Sequence, residues 1–432
     1  MSLRTAGTFV SAWWRSRGLD RLRDRSHLEF LQQQWTSRLL EQVAASSPYY
    51  RAFAGRPLED WPIMEKREWM ARFDEINTVR ARLSDLNAFA ADAEATRHFS
   101  QAWRGYTVGL STGTSGNRGL FLVSPEERAR WAGTLFGRML RINPLREQRL
   151  ALVLRAGSPL YERASTLRLR FRYFDQARPW QAIVDGLIAW QPTLLVAPAR
   201  VLALLANEAA RMRPQRVISV AEVLDDLDRA RIEAAFGVRV EQIYQATEGL
   251  LGTTCEHGTL HLMEPYVLVE PQWLDAERTR FTPLVTDLWR RTQPVIRYRM
   301  NDVLRVKREP CPCGRAAMAI DAIDGRMDDL LWLDSDRGLV CVFPDLVTRE
   351  IVIGIPQLDD YRVSELARGH WRVDLQPLPE EPLRRLLIVR LRGLASRLGA
   401  SPPEISVGTF ESQPLLQKQR RVQAMRIAAC AS

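Results

Sequence analysis

Lysine is almost missing from this chain. Of its 61 basic residues, only Lys66, Lys307 and Lys418 are lysines, and all the others are arginine. Where arginine serves nearly every cationic role, a retained lysine marks a place that can need a compact ammonium rather than a planar fork. Cysteine is scarce as well: five in 432 residues cannot build a disulfide framework. No run of about 18 apolar residues occurs, which excludes a membrane-spanning helix. The stretch Met1–Arg17 carries Trp13, Trp14 and several arginines, but no apolar core followed by a small-residue cleavage site. It reads as an amphipathic surface segment, and the protein as cytoplasmic. Internal repeats and low-complexity tracts are absent too.

The composition that remains is ordinary for a globular protein, 46% hydrophobic and 26% charged, and the length calls for two or more domains. A net charge of +10 would suit a nucleic acid. The arginines, however, are spread over the whole chain, with no stripe and no aromatic–basic recognition motif, so no nucleic-acid partner is expected. An acidic small molecule, a nucleotide included, explains the same sign of charge.

Apolar periodicity predicts a helix over Leu19–Ala45, stopped at Ser46-Ser47-Pro48, and a short helix from about Met64. Strands are expected at Tyr106–Val108 and Leu120–Val123, followed by a helix from Pro125 to Arg141 with Ser124 as its N-cap. Strands at Leu150–Leu154, Leu194–Val196, Val217–Val220 and Val238–Ile243 alternate with helices at Ala182–Trp190, Ala199–Arg211 and Asp225–Phe236. That alternation argues for a largely parallel sheet with helices on its faces. Beyond residue 260 strands dominate, at Tyr266–Val269, Leu284–Leu288, Val295–Tyr298 and Val303–Val306. The last hundred residues mix strands (Leu330–Leu333, Val340–Phe343, Trp371–Leu375) with helices (Asp345–Ile351, Glu381–Leu398), the size of a small α+β domain.

Two stretches carry chemistry. Ser111-Thr112-Gly113-Thr114-Ser115-Gly116-Asn117-Arg118-Gly119 combines three glycines, four hydroxyls and a cation. Such a loop can turn its N–H groups into one concavity and hold a polyphosphate. It lacks the GxxxxGK[ST] spacing of a Walker loop. A Ser/Gly surface turn has the same composition, and the strand expected on each side favours the phosphate reading. The second stretch is Tyr244-Gln245-Ala246-Thr247-Glu248-Gly249, expected just beyond the strand Val238–Ile243. Ligands of open α/β sheets sit at such carboxyl ends, where a threonine can meet phosphate and a glutamate Mg²⁺.

Together these stretches resemble the adenylate-forming superfamily, and from about residue 40 to the end the chain resembles its phenylacetate–CoA ligase-like branch. The likeness extends to Ser47-Pro48-Tyr49-Tyr50-Arg51, Pro62-Ile63-Met64-Glu65-Lys66, Ala221-Glu222, Pro294-Val295-Ile296-Arg297-Tyr298-Arg299-Met300-Asn301-Asp302, Cys311-Pro312-Cys313-Gly314-Arg315, Gly325-Arg326-Met327-Asp328-Asp329 and Lys418. It implies an α/β fold: a large N-terminal domain over 1–325 with mostly parallel sheets and a helical lead-in over 1–100, a hinge at 326–329, and a small mobile α+β domain over 330–432. ATP and acid would bind where the two domains meet.

The resemblance also implies an enzyme, an AMP-forming acid–thiol ligase. An aryl or arylacetic acid would be adenylated with Mg²⁺ and ATP, and the acyl group passed to coenzyme A. The alternatives are the phosphopantetheine of an acyl carrier protein, or amide formation from the acyl-adenylate. Assembly as a homodimer is left open. Residues 111–116 and Arg118 would close over the phosphates, Thr247 would meet phosphate and Glu248 the Mg²⁺, and Tyr244 would pack on adenine. Asp302, with Arg326 as second candidate, would hold the ribose; an ionised carboxylate offers two acceptor oxygens to two hydroxyls. Asp328 would be the hinge. Ala221, Glu222, Tyr244 and Gly249 would wall the acid.

Lys418 matches the C-terminal lysine of the family, which bridges the substrate carboxylate and the α-phosphate; the scarcity of lysine points to the same residue. Three features depart from the family pattern: Asn117 replaces a frequent lysine, Met300-Asn301 replace Thr-Gly, and Gln417 replaces a glycine. No essential charge is lost, but they mark a divergent subfamily and keep the alternative acceptors in view.

Cys311 and Cys313 form a tight knuckle, with Cys255 and His261 some 50 residues upstream. Cys₃His is an ordinary structural zinc set, relatives in the branch hold zinc at these positions, and His257 competes as fourth ligand. Cys341 and Cys430 are bystanders.

Overall fold

The computed structural model describes residues 2–99, 101–110, 118–139, 147–155, 169–411 and 420–425. The chain divides into two compact units: residues 1–300 with 306–322, and residues 301–305 with 323–432. Among the described residues no helix is long and apolar enough to cross a membrane.

The larger unit begins with two helices where one was expected. α1 (Leu3–Leu19) is capped by the Ser2 hydroxyl, and α2 (Arg25–Ser46) starts at Asp24, whose carboxylate accepts from the Ser26 amide at 2.9 Å. That second cap is the physical reason for the break, because a capping aspartate satisfies the amides a fresh first turn leaves bare. Three short helices follow: α3 (Lys66–Ala71), α4 (Phe73–Ile76) and α5 (Leu83–Thr96). The Pro62–Lys66 signature braces the Arg-Tyr-Arg segment: the Met64 amide donates to the Arg297 carbonyl at 3.0 Å, and the Arg299 amide donates to Met64 at 2.9 Å.

β1 (Thr107–Leu110) and β2 (Leu120–Val123) form an antiparallel hairpin, Leu110 opposite Leu120, so the Ser/Gly stretch connects its two strands. Residues 111–117 themselves lie outside the described residues. α6 (Pro125–Met139) opens with a capping box: the Ser124 hydroxyl accepts from the Glu127 amide, and the Glu127 carboxylate accepts from the Ser124 amide. α1 lies against α6 at glycine distance. A Cβ on Gly133 would stand 2.3 Å from the Phe9 carbonyl oxygen, and one on Gly137 would stand 1.9 Å from Ser16 Oγ. Gly133→Ala is therefore expected to destabilise the protein by about 1–3 kcal/mol, measured by denaturant unfolding; an unchanged midpoint would contradict this packing.

The central sheet places five parallel strands in the order β4-β3-β5-β6-β7: β3 (Gln148–Leu154), β4 (Leu169–Asp175), β5 (Leu194–Ala197), β6 (Arg216–Val220) and β7 (Val240–Ala246). Helices α7 (Trp180–Trp190), α8 (Ala199–Leu205) and α9 (Asp226–Phe236) link them. Val153, Leu195, Val217 and Val240 from the strands pack with Val184, Leu187, Leu202 and Ile232 from the helices. β5 is buried at every position, as a strand covered on both faces should be.

After β7 the sheet turns antiparallel. β7 pairs with β8 (Gly249–Thr254), β8 with β9 (Leu260–Leu262), and β10 (Val267–Trp273) with β11 (Arg280–Asp287), which also pairs with β12 (Tyr298–Arg299). The strand expected at Val295–Tyr298 shrinks to β12, because Arg297 sits at φ 44°, outside any strand geometry.

β13 (Asp302–Val306) and β14 (Ala319–Arg326) run through the points where the chain passes between units. In the smaller unit a 3₁₀ turn over Met327–Asp329 leads to the hairpin β15 (Leu331–Ser335) and β16 (Gly338–Val342), then α10 (Pro344–Gly354). β17 (Asp360–Ala367), β18 (His370–Gln376), β19 (Glu404–Thr409) and β20 (Val422–Gln423) form a sheet in the order β19-β18-β17-β20, with α11 (Glu381–Arg397) between β18 and β19. Tyr361, Val363, Trp371, Val373, Leu387 and Leu391 are its buried centre. The architecture is the expected one: a large α/β unit around a sheet with a parallel core, and a small α+β unit.

Candidate functional site

The Tyr244–Gly249 stretch was expected just beyond the strand Val238–Ile243, but its first three residues belong to the strand. β7 runs on through Ala246, and Thr247 and Glu248 form the two-residue turn between β7 and β8. Pairing of Tyr244–Ala246 with Gly249–Gly252 is what extends the strand. Glu248 is buried, and its carboxylate accepts from the Thr247 hydroxyl at 2.9 Å. Tyr244 is buried on β7. One strand over, β6 ends at Val220, in register with Ile243, so Ala221 stands beside Tyr244 at the carboxyl edge of the parallel strands. Ala221 holds φ 65°, a left-handed conformation an L-residue adopts only under constraint. Glu222 accepts from the Arg200 amide. Gly249 is close to Asp287: a Cβ there would lie 3.2 Å from Asp287 Oδ2. The four acid-wall candidates thus share one sheet edge with the Thr247–Glu248 turn.

A group of residues with no recognisable motif supports this edge. Arg290, buried, donates from Nη1 to the Thr247 carbonyl at 2.5 Å and from Nη2 to Gln293 Oε1 at 2.6 Å. Gln293 Oε1 also accepts from the Leu122 amide at 2.8 Å, and Gln293 Nε2 donates to the Leu120 carbonyl at 3.0 Å. Glu127 Oε1 accepts from the amides of Arg291 and Thr292. Asp287 caps the same turn through the amides of Trp289 and Arg290, and burial pushes its carboxyl up to about 6. At the far end of the Ser/Gly stretch, Arg118 forms a forked pair with Glu94 of α5, at 2.7 and 2.5 Å.

Within the smaller unit, Asp302, Arg326 and Asp328 come together. Arg326 Nε lies 3.5 Å from Asp302 Oδ1, the Asn301 side-chain amide donates to Asp328 Oδ2 at 2.6 Å, and the Met327 amide donates to the Asn301 carbonyl. Asn301 therefore fills its non-family position by tying to Asp328. Lys418 lies outside the described residues. The chain beyond it is anchored by Arg420, whose Nε is 2.8 Å from Asp329, and by Arg421, 2.9 Å from Asp360.

The cysteines converge. Ligand atoms of Cys255, His261, Cys311 and Cys313 all lie within 4.8 Å of one another. Cys255 and Cys311 sulfurs are 3.7 Å apart, and Cys313 Sγ is 3.3 Å from His261 Nε2. His257 contributes only its backbone amide, which donates to Cys255 Sγ, so His261 is the imidazole of the cluster. With His261 Nδ1 against the Ala317 carbonyl at 2.9 Å, donation there leaves Nε2 as the free ligand nitrogen, the arrangement that orients metal-bound histidines. Arg315 pins the knuckle to Asp20 at 2.8 Å and to Glu256 at 2.7 Å. Burial pushes the Cys313 thiol up to about 12, a desolvation cost that a divalent cation removes. The donor set and its spacing fit Zn²⁺.

The fold is shared with solved structures that include acyl-CoA and acyl-adenylate ligases. A 2-hydroxyisobutyryl-CoA ligase in the postadenylation state, in complex with 2-HIB-AMP, aligns with a TM-score of 0.66 at 16% identity, over 94% of this chain and 90% of that one. An open conformation of that ligase in complex with 2-HIB-AMP and CoA gives 0.58 at 17% identity, over 93% and 91%. One of the fatty acyl-adenylate ligases from E. coli and L. pneumophila gives 0.51 at 13%, over 72% and 68%. No family model and no curated protein matches the sequence. At these identities the likeness establishes the fold.

Proposed function

We propose that this chain is an AMP-forming acid–thiol ligase of the phenylacetate–CoA ligase-like kind, adenylating an aryl or arylacetic acid and passing the acyl group to coenzyme A. The observation that carries the reading is the Thr247–Glu248 turn: a buried carboxylate and a hydroxyl at the carboxyl edge of a parallel sheet, in a fold shared with acyl-CoA ligases. In the first half-reaction a carboxylate oxygen of the acid attacks the α-phosphorus of ATP, and the bond to pyrophosphate breaks. Residues 111–116 and Arg118 enclose the phosphates, Thr247 donates to a phosphate oxygen, and Tyr244 packs on adenine. Mg²⁺, held by Glu248, supplies charge neutralisation of the phosphates. Asp302 accepts from the ribose hydroxyls beside Arg326. Lys418 donates to the oxygens on which negative charge builds. Ala221, Glu222, Tyr244 and Gly249 wall the acid. In the second half-reaction the thiol sulfur attacks the acyl carbon and AMP leaves, with Asp328 as the hinge between the two steps. Zn²⁺ on Cys255, His261, Cys311 and Cys313 is structural, since four protein ligands leave no open position for substrate.

A carrier-protein phosphopantetheine is the second acceptor, because its thiol takes part in the same chemistry. A panel of aryl acids offered with coenzyme A and carrier protein in competition tests the reading, with AMP and thioester as products. Thioester on coenzyme A supports it, thioester on the carrier alone replaces the acceptor, and hydroxamate trapping without thioester points to amide formation. Glu248→Gln is expected to lower adenylation about a hundredfold, the scale of losing one preorganised charge contact, and to raise the Mg²⁺ concentration needed. Unchanged Mg²⁺ dependence would remove Glu248 from metal binding.

A further inference from the structure

The turn carrying Arg290 and Gln293 joins two stretches that are far apart in sequence, the stem of the Ser/Gly hairpin and the Thr247–Glu248 turn. We propose that the Arg290–Gln293 pair is a positioning clamp for the nucleotide, fixing the phosphate-binding hairpin against the Thr247–Glu248 turn. This rests on the adenylating function proposed above.

Both residues are buried, Gln293 completely. Gln293 uses both ends of its amide on this task. Oε1 accepts at once from Arg290 and from the Leu122 amide, and Nε2 donates to the Leu120 carbonyl. The amide therefore takes the place of a neighbouring strand along the free edge of β2. Arg290 carries the connection onward to the Thr247 carbonyl. Its charge also faces Asp287, Glu127 and Glu248, so its position is set electrostatically as well as by its two donated bonds. Glu127 makes a second tie in parallel, from the start of α6 to the amides of Arg291 and Thr292.

Stability alone does not account for this construction. A buried guanidinium costs several kcal/mol in desolvation, and Arg290 Nε meets no acceptor among the described residues. Apolar side chains of the same volume would fill the space at less cost. What apolar side chains cannot do is hold two backbone segments in one fixed relation through directional bonds. Groups that must meet the same polyphosphate from two sides need that fixed relation, because small misplacements of positioned groups cost large factors in rate. Gln293 and Arg290 are thus positioning residues: each acts on the nucleotide through the segment it holds.

The test compares Gln293→Leu and Gln293→Glu with the wild type in the full-length protein. Direct binding of Mg·ATP by calorimetry is the first readout, and the separate KM values for ATP and for the acid in pyrophosphate exchange are the second. Gln293→Leu removes the amide at nearly constant volume. It should weaken ATP binding about tenfold, which corresponds to about 1.4 kcal/mol, while the KM for the acid and thiol transfer from premade acyl-AMP change by less than about twofold. Gln293→Glu keeps acceptors for Leu122 and Arg290 and loses only the bond to Leu120, so its ATP affinity should fall between the other two. Unchanged ATP affinity in Gln293→Leu overturns the clamp. So does an equal loss in ATP affinity, acid KM and thiol transfer, which is the signature of a purely structural residue. If Gln293→Leu does not fold, the ratio of Gln293→Glu to wild type decides, and a ratio of one overturns the proposal. Wild-type protein that binds ATP but exchanges with no acid would refute the ligase reading, leaving the clamp to be judged on binding; wild-type protein that does not bind ATP would refute both.

Discussion

Replacing Lys418 with alanine is expected to reduce acid-dependent pyrophosphate exchange by at least about a hundredfold, the loss that follows removal of one charge aimed at a transition state, while thiol transfer from premade acyl-AMP stays within a few fold. When the acid attacks the α-phosphorus, negative charge accumulates on oxygens shared by the carboxylate, the α-phosphate and the departing pyrophosphate. A single ammonium placed there stabilises the transition state more than the ground state, which is the condition for raising the rate. In the second step the phosphoanhydride to pyrophosphate is already gone, and that ammonium has no comparable task. Chain composition adds a sharper form of this prediction. Arg420 and Arg421 stand two and three residues from Lys418, and arginine fills nearly every other cationic position. Lys418→Arg should therefore restore little of the activity, since a planar five-donor fork does not replace a point charge. Equal loss of both half-reactions, or full rescue by arginine, would move Lys418 out of this role. Beyond it, Arg420 pairs with Asp329 and Arg421 with Asp360 within the smaller unit.

Protein purified without added metal is expected to carry close to one equivalent of zinc, and Cys313→Ser to lose it together with several kcal/mol of stability, because metal binding free energy at a structural site is folding free energy. The cluster draws together Cys255 at the end of β8, His261 in β9 and the Cys311–Cys313 knuckle before β14. Arg315 extends the connection to Asp20 between α1 and α2, where Arg138 of α6 pairs with the same carboxylate. Loss of metal should therefore loosen the helical lead-in as well as the knuckle. Hydrogen exchange would detect this as reduced protection in α1 together with residues 255–261. Metal-free protein of unchanged stability would overturn the assignment.

The alternation of strands and helices over residues 150–243 was open to direct reading, because each element carries its own apolar period and the central strand β5 is buried at every position. What failed to register was set by partners distant in sequence. β4 alternates Leu169, Phe171 and Tyr173 with arginines and draws its pairing from β3 alone among the described strands. Thr247 and Glu248 were legible as residues, but their place in a hairpin turn was not, since β8 is what prolongs β7 to Ala246. The converging cysteines were visible as types and spacing, and the choice of His261 over His257 needed the register of β9 against β14, which sets Ala319 beside His261. Arg290 and Gln293 left no trace: in a chain this rich in arginine, a buried guanidinium and a surface one are written with the same letter. Only the fold distinguishes them, through the backbone groups of β2 and Thr247 that they satisfy.

The most direct measurement of adenylation is exchange of labelled pyrophosphate into ATP by the wild-type protein across a broad panel of aryl and arylacetic acids, with Mg²⁺ present and no thiol. Exchange that depends on one acid or a narrow set of them, and that disappears when Mg²⁺ is chelated, is the predicted result. Absence of acid-dependent exchange over the whole panel, from protein that is folded and metal-replete, would show that the chain does not adenylate these acids.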